Sequence, residues 1–127
     1  MRGVSEKMNE AGLEDARDQL AEHIPDSHLD FLERLLLTHS IDSHFFCHAG
    51  VEADRPLDEQ SPAVLMWGEG RQPGNYHHAA KTVVHGHYVT DAPVVAANRV
   101  SVDTGAYYSG RLTALKLTAD SADFIST

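Results

Sequence analysis

The stretch Lys81-Thr82-Val83-Val84-His85-Gly86-His87 decides the fold, together with Phe45-Phe46-Cys47-His48-Ala49-Gly50 upstream. Each is a short apolar run that stops at histidine and glycine. Such a run is typical of a buried strand whose last side chains reach past the edge of a sheet. Because ligands of open α/β sheets bind beyond the carboxyl ends of the strands, the pattern predicts that His48 and His87 lie at one site.

The rest of the chain favours helices first and mostly short strands after residue 80, which predicts an α/β (α+β) fold. Helices are expected in residues 11–37. The second follows Pro25, is capped by Asp26 or Ser27 and ends near residues 38–40. Its apolar face is predicted to contain Leu29, Phe31, Leu32, Leu35 and Leu36. Residues 1–127 are expected to form a single domain whose first ten residues fray.

The strands are predicted from apolar runs between turn signals. A short helix over residues 63–67, begun by Ser61-Pro62, separates the first strand from the others. The alternation in residues 111–117 predicts one buried and one exposed face. The predicted strands are residues 43–49, 83–87, 94–97, 100–103 and 112–117, with a last edge strand at residues 124–125.

Composition limits the function. The formal charge of −9 over 127 residues argues against broad nucleic-acid binding, which needs clustered Lys and Arg. No apolar run is long enough to span a bilayer, so no membrane association is expected. The single cysteine, Cys47, favours a reducing cytoplasm. An acidic protein that handles an anion needs local cations, and bound metal ions are the usual source.

Residue types at the strand ends suggest specific chemistry. His48 and His87 are candidate metal ligands, because neutral imidazole is the commonest nitrogen ligand; the alternative is a pair of hydrogen-bonded loop histidines. His85 shares a strand face with His87 and either orients a ligand or stabilises the loop. Tyr108 and Arg111 can donate to a phosphate oxygen, although most tyrosines in such turns pack.

Other catalytic patterns are missing. The chain has no G-x-S-x-G elbow, no phosphate-binding G-x-x-x-x-G-K-[ST] loop and no G-x-G-x-x-G before a helix. Cys47 has no charged neighbour in sequence that would lower its pKa. Nucleophilic catalysis and dinucleotide binding are therefore not supported.

Four short motifs occur in the chain in a specific order: HAG at residues 48–50, HGH at residues 85–87, DTGA at residues 103–106 and GRLTAL at residues 110–115. With weaker matches between them, they cover about residues 21–117. In this order the chain resembles the calcineurin-like metallophosphoesterases, in particular the bacterial serine/threonine protein phosphatase-like branch. The resemblance is to the C-terminal half of that domain.

The resemblance implies a four-layer α/β/β/α sandwich with a dinuclear centre that hydrolyses phosphate esters. The metal ions would be manganese, or alternatively iron, zinc or nickel. By position, His48 and His87 would both ligate the second metal, and Tyr108 would lie near the substrate phosphate. Where the family often has an arginine after its tryptophan, this chain has Trp67-Gly68-Glu69, and Arg71 is the substitute expected to bind phosphate.

The chain also departs from the family pattern. The motifs GDxHG, GDxxDRG and GNH[DE], which supply the carboxylates, an asparagine and the catalytic histidine, do not occur. No catalytic residue is therefore predicted. The chain alone is expected to be inactive, and to self-associate or pair with a complementing N-terminal half. The expected substrates are a phosphorylated protein or a small phosphate ester.

Three other functions stay open at this point. The parent enzyme can be a dinucleoside polyphosphate hydrolase rather than a protein phosphatase. The chain can be a non-catalytic binding or regulatory remnant. It can also be a small histidine-rich metal-binding protein that is unrelated to phosphatases.

Overall fold

The computed structural model describes residues 10–71, 73–76, 79–118 and 121–127, which belong to two compact units. The first unit ends at Leu35 and contains helices α1 (Glu10–His23) and α2 (Asp26–Glu33). The second begins at Leu36 and contains the strands. None of the described helices is long and apolar enough to cross a membrane. Of the first ten residues, which are expected to fray, all but residue 10 lie outside the described part of the chain. That residues 1–127 form a single domain stays a prediction.

Helix α2 differs from its prediction at both ends. Pro25, in extended conformation with φ −61° and ψ 140°, is the N-cap, so the predicted capping by Asp26 or Ser27 is wrong. The helix ends at Glu33, several residues early, and the chain from residue 38 is extended. No residue of α2 is buried, and Leu36 is 81% exposed. The predicted apolar face is therefore open to solvent.

The sequence prediction missed strand β1 (Thr38–Ile41) by assigning its first residues to the end of a helix. It pairs antiparallel with β2 (His44–Cys47), from Thr38 opposite Cys47 to Ile41 opposite His44. Only two residues connect the strands, and the first of them, Asp42, has a φ of 47°. Aspartate tolerates this left-handed conformation, which two-residue hairpin turns require.

A mixed five-stranded sheet has the order β1-β2-β3-β5-β4. Strands β2, β3 (Thr82–His85) and β5 (Arg99–Ser101) are parallel, and the two edge strands β1 and β4 (Val94–Ala96) run antiparallel to their neighbours. The α+β class is confirmed. The strands are shorter than predicted, however, and β3 ends at His85 rather than His87.

Helix α3 (Pro62–Trp67) helps to cover the sheet beside its carboxyl end. It begins as predicted, with the hydroxyl of Ser61 accepting a hydrogen bond from the Val64 N–H at 3.4 Å. The Leu65 carbonyl accepts a bond from the Ala49 N–H at 2.8 Å, which joins α3 to the segment after β2. The buried core of this face consists of Phe45, Val51, Leu65, Tyr76 and Val83.

A separate two-stranded hairpin is formed by β6 (Thr113–Leu117) and β7 (Ala122–Ser126). The predicted alternation in β6 is confirmed, since Thr113 is buried while Ala114 and Lys116 are exposed. Strand β7 is exposed throughout. The short helix α4 (Ala106–Ser109), which precedes the hairpin, was expected to be a turn.

Candidate functional site: the histidine pair

The carboxyl ends of the parallel strands lie side by side. The N–H of Gly86, just after β3, donates to the carbonyl of His48, just after β2, at 2.9 Å. The N–H of Val102, just after β5, donates to the carbonyl of His85 at 2.9 Å. The residues that follow three neighbouring strands therefore share one edge of the sheet, which is where ligands of such sheets bind.

His48 and His87 meet at this edge, as the strand pattern predicts. Nε2 of His48 lies 3.2 Å from Nδ1 of His87, and the two ring centroids are 5.0 Å apart in an edge-on arrangement. His48 is exposed and His87 is half-buried. The pair is thus open to a ligand from one side while the backbone hydrogen bond holds the two strand ends together.

The separation of these two nitrogens fits a shared metal ion. Two nitrogens 3.2 Å apart, each about 2.1 Å from one ion, subtend an angle of about 100° at it. That angle lies between the tetrahedral and octahedral values. With a metal, both nitrogens must be unprotonated; without one, a single proton between them forms a hydrogen bond.

His87 occupies an unusual backbone conformation, with a φ of 65°. It is the central residue of a three-residue turn, which the Tyr88 N–H closes by donating to the Gly86 carbonyl at 2.7 Å. Turns of this hand are rare and strained. The ring also has edge-on contacts with the rings of Trp67 and Tyr88, with centroids at 6.3 and 5.0 Å. The turn directs the ring of His87 toward His48.

Close packing behind His87 requires a glycine at position 68. Gly68 ends α3 with a φ of 68°, and a Cβ there would clash with the phenol ring of Tyr88. The Tyr88 hydroxyl donates to the Trp67 carbonyl at 3.5 Å. Glycine therefore lets the tyrosine that contacts His87 pack directly against the end of α3.

A pocket of about 250 Å³ opens beside the pair. Its polar lining comes from residues that follow the three parallel strands, namely His48, His87, Asp103 and Thr104, and from Arg111 and Thr113 at the start of β6. The sequence predicts Arg111 as a residue that can donate to a phosphate oxygen, whereas it does not predict Asp103 as a site residue. The available signal was that Asp103 follows β5, the third parallel strand, in the same way that His48 follows β2.

The pocket does not complete a metal centre by itself. In the described part of the chain, no group of three or more His, Cys, Asp or Glu side chains is placed to hold a metal ion. Asp103 lines the pocket, but its Oδ1 accepts a hydrogen bond from the Gly105 N–H at 2.9 Å. Two imidazoles are therefore the metal-binding set that these residues offer.

The two predicted phosphate contacts are not among the residues that line this pocket. Arg71 lies in the segment after α3 and Tyr108 lies in α4. The Tyr108 ring packs over Gly105, where a Cβ would clash with it, and lies edge-on to Tyr107 with centroids 4.8 Å apart. Their role in binding substrate stays a prediction.

His85 does not share a strand face with His87, so that sequence argument is wrong. The strand ends at His85, and the left-handed turn redirects the chain before His87. The ring of His85 is almost fully buried, with Nδ1 2.9 Å from the Gly86 carbonyl. Nδ1 therefore carries the proton. Burial lowers the pKa of His85, the Gly86 hydrogen bond opposes this, and the nearby Arg99 and His87 lower it further.

The buried side of the same strands contains unpaired polar atoms. Nε2 of His85, Nε of Arg99 and Oγ of Ser101 are all buried, and none has a hydrogen-bond partner in the described part of the chain. His85 and Ser101 are register partners on β3 and β5. These atoms lie in the interior of the sheet and do not line the pocket, and His85 contacts the site through its hydrogen bond with the Gly86 carbonyl.

The Cys47 thiol is not activated as a nucleophile in this setting. Burial raises the pKa of its thiol to about 11, against the opposing effect of a hydrogen bond from the Gly50 backbone. The thiol therefore stays protonated at neutral pH. This agrees with the expectation that the residue is not an activated nucleophile.

No protein-family model matches the chain, and no curated protein matches it in sequence. The functional interpretation therefore rests on the motif residues and on the geometry of the histidine pair.

Proposed function

We propose that this chain supplies two histidine ligands to the metal centre of a calcineurin-like phosphoesterase, which acts on a phosphorylated protein or a small phosphate ester. The observation that supports this most directly is the 3.2 Å separation of His48 Nε2 and His87 Nδ1. A divalent ion, with manganese preferred over iron, zinc or nickel, would polarise the phosphate and activate water. The order of the HAG, HGH and DTGA motifs supports the same family.

The chain's own residues hold and orient the ligand atoms. The turn at residues 86–88 fixes the His87 ring, and the Gly86 to His48 hydrogen bond fixes the distance between the two strand ends. Two neutral imidazoles leave the charge of a divalent ion uncompensated. Carboxylates from another segment or another chain would complete the centre, which is why we expect weak metal binding and little turnover by these residues alone.

We infer that the five-stranded sheet is one layer of a four-layer sandwich and that the β6–β7 hairpin belongs to a second sheet. Strand β7 is exposed throughout, and Phe124 and Ile125 lie on it. Exposed apolar strand residues favour pairing with a complementing half or with another copy. The protonated, unpaired Cys47 thiol is compatible with a cytoplasmic protein.

Metal titration calorimetry with Mn²⁺ and Zn²⁺ tests the proposal. Wild type should bind one ion per chain, and His48→Ala and His87→Ala should each lower the affinity at least about tenfold, since each removes one of two ligands. His39→Ala, on exposed strand β1, is the matched control and should bind like wild type. If all three variants bind equally, the histidine-rich metal-binding alternative replaces the phosphatase proposal.

An activity assay tests the claim that the centre is incomplete. With p-nitrophenyl phosphate and Mn²⁺, the chain alone should show little turnover. Robust turnover that His87→Ala abolishes would show that these 127 residues form a complete centre. Metal binding that persists without turnover even after a polypeptide carrying the GDxHG segment is added would favour the non-catalytic binding module.

A further inference from the structure

We infer that Arg111 is the residue that recognises the anionic group of the substrate at the histidine pocket. This inference rests on the proposed function, because it names the group that the site binds. Arg111 lines the same pocket as His48 and His87, and in the described part of the chain no other Lys or Arg lines it. A protein with a formal charge of −9 attracts an anion only where cations are placed locally.

The backbone of Arg111 is held firmly at the pocket. Its carbonyl accepts a hydrogen bond from Oγ1 of Thr104 at 2.8 Å, and its N–H donates to Oγ of Ser109 at 3.0 Å. The Ser109 hydroxyl in turn donates to the Thr104 carbonyl at 2.7 Å. Thr104 also shares a 2.9 Å hydrogen bond with Thr113 of β6. Side-chain hydroxyls therefore fix the position of the Arg111 backbone beside the ends of the parallel strands.

The guanidinium itself is available. Arg17, Arg34 and Arg55 each form an ion pair with a carboxylate. Within the described residues, the Arg111 side chain makes no such pair and no hydrogen bond, although Asp103 lines the same pocket. An arginine with five free donors binds two oxygens of a phosphate at once, which a lysine cannot match.

The pocket has room for the group. A volume of 250 Å³ corresponds to about eight water molecules at about 30 Å³ each, which is ample for a phosphate. The carboxylate of Asp103 repels an anion, however, so Arg111 alone does not make the pocket favourable. We therefore expect phosphate binding to strengthen when a divalent ion occupies the histidine pair.

Calorimetry with inorganic phosphate tests the inference, using the full chain with and without Mn²⁺. Arg111→Gln should weaken phosphate binding at least about tenfold, and Arg111→Lys should recover part of the affinity. Lys116→Gln removes an exposed cation from the neighbouring strand and should leave it unchanged. Arg71→Gln is the rival variant: if it weakens phosphate binding as much as Arg111→Gln, or if wild type binds no phosphate, the inference is wrong.

The two proposals fail separately. Arg111→Gln should keep the wild-type Mn²⁺ affinity and the wild-type thermal unfolding, because the side chain is exposed and not a ligand. If His48→Ala abolishes metal binding while Arg111→Gln leaves phosphate binding intact, only the arginine inference falls. If metal binding ignores both histidines while Arg111→Gln still weakens phosphate binding, the metal proposal falls and Arg111 remains an anion site.

Discussion

Two pockets beside the five-stranded sheet differ in size and in chemistry. The larger, about 780 Å³, lies against β1, β2 and the loop of residues 53–58, with Phe45 in its lining and Lys81 just before β3. The smaller, about 250 Å³, lies at the carboxyl ends of the parallel strands. Only the smaller brings two imidazole nitrogens within 3.2 Å of each other. Converging donor atoms, rather than volume, identify the candidate site.

The arginines that line the two pockets also differ in their ion pairing. At the larger pocket, the Arg55 guanidinium is 3.0 Å from a Glu52 carboxylate oxygen, so its charge is already balanced. At the smaller pocket, Arg111 has no ion-pair partner in the described residues. The comparison predicts that substitutions at the larger pocket affect folding, while substitutions at the smaller pocket affect binding.

The largest effect is expected at Phe45, which is 5% exposed and belongs to the core beneath the larger pocket. Phe45→Ala should lower the free energy of unfolding by about 3–5 kcal/mol, because it leaves a cavity in a packed interior. Urea denaturation measures this. Phe124→Ala, on exposed strand β7, is the matched control and should cost far less; equal losses would contradict the assigned core.

A smaller effect on stability is expected at His87, where the backbone conformation rather than the imidazole ring determines the difference between two variants. His87→Gly and His87→Ala both delete the imidazole, so they differ only in their tolerance of the left-handed φ of 65°. The glycine variant should be more stable by about 1 kcal/mol, and neither variant should bind metal. The measurement is the difference in urea midpoint between the two. An alanine variant as stable as the glycine variant would show that the turn does not impose this conformation.

The smallest effect concerns Tyr76, whose hydroxyl accepts a hydrogen bond from the Val51 N–H at 3.2 Å, close to the segment after His48. Burial raises the pKa of Tyr76 above its ordinary value, against the opposing hydrogen bond to Val51. As pH rises, the Tyr76 hydroxyl therefore loses its proton at a lower pH in the unfolded chain than in the folded chain. Stability from this group is fully present below about pH 10 and falls above it.

Comparison with Tyr76→Phe isolates that contribution. The phenylalanine variant loses the Val51 hydrogen bond, which costs about 1 kcal/mol at pH 8, but it has no phenol to ionise. The difference in urea midpoint between wild type and variant should therefore narrow between pH 8 and pH 10.5. A constant or widening difference would show that Tyr76 ionises equally easily in both states.

Much of the sheet was predictable because its strands are short apolar runs between turn residues. The runs at residues 44–47 and 82–85 could be found this way, and their parallel pairing brings His48 and His87 together. Strand β1 was missed because the leucines before it continue a helical pattern. The decisive signal was the two-residue turn at Asp42-Ser43, whose effect depends on the strand it pairs with.

The site was less predictable than the strands. His85 was expected to share a face with His87, but a single left-handed residue reversed that, and such a φ is not encoded by a periodic pattern. Arg111 was noted only as a possible phosphate donor. Its position at the pocket depends on two backbone hydrogen bonds, in which its carbonyl accepts from the Thr104 hydroxyl and its N–H donates to the Ser109 hydroxyl. These bonds form only once α4 and β6 are in place.

Long-range ¹H–¹⁵N NMR of the histidine rings during Zn²⁺ titration tests the shared metal ion most directly, because it reports each nitrogen separately. We predict that Nε2 of His48 and Nδ1 of His87 acquire metal-bound shifts together, with one ion per chain, while His39 and His44 do not change. Shifts at only one of the two rings, at the opposite nitrogens, or spread evenly over all the histidines would contradict the account.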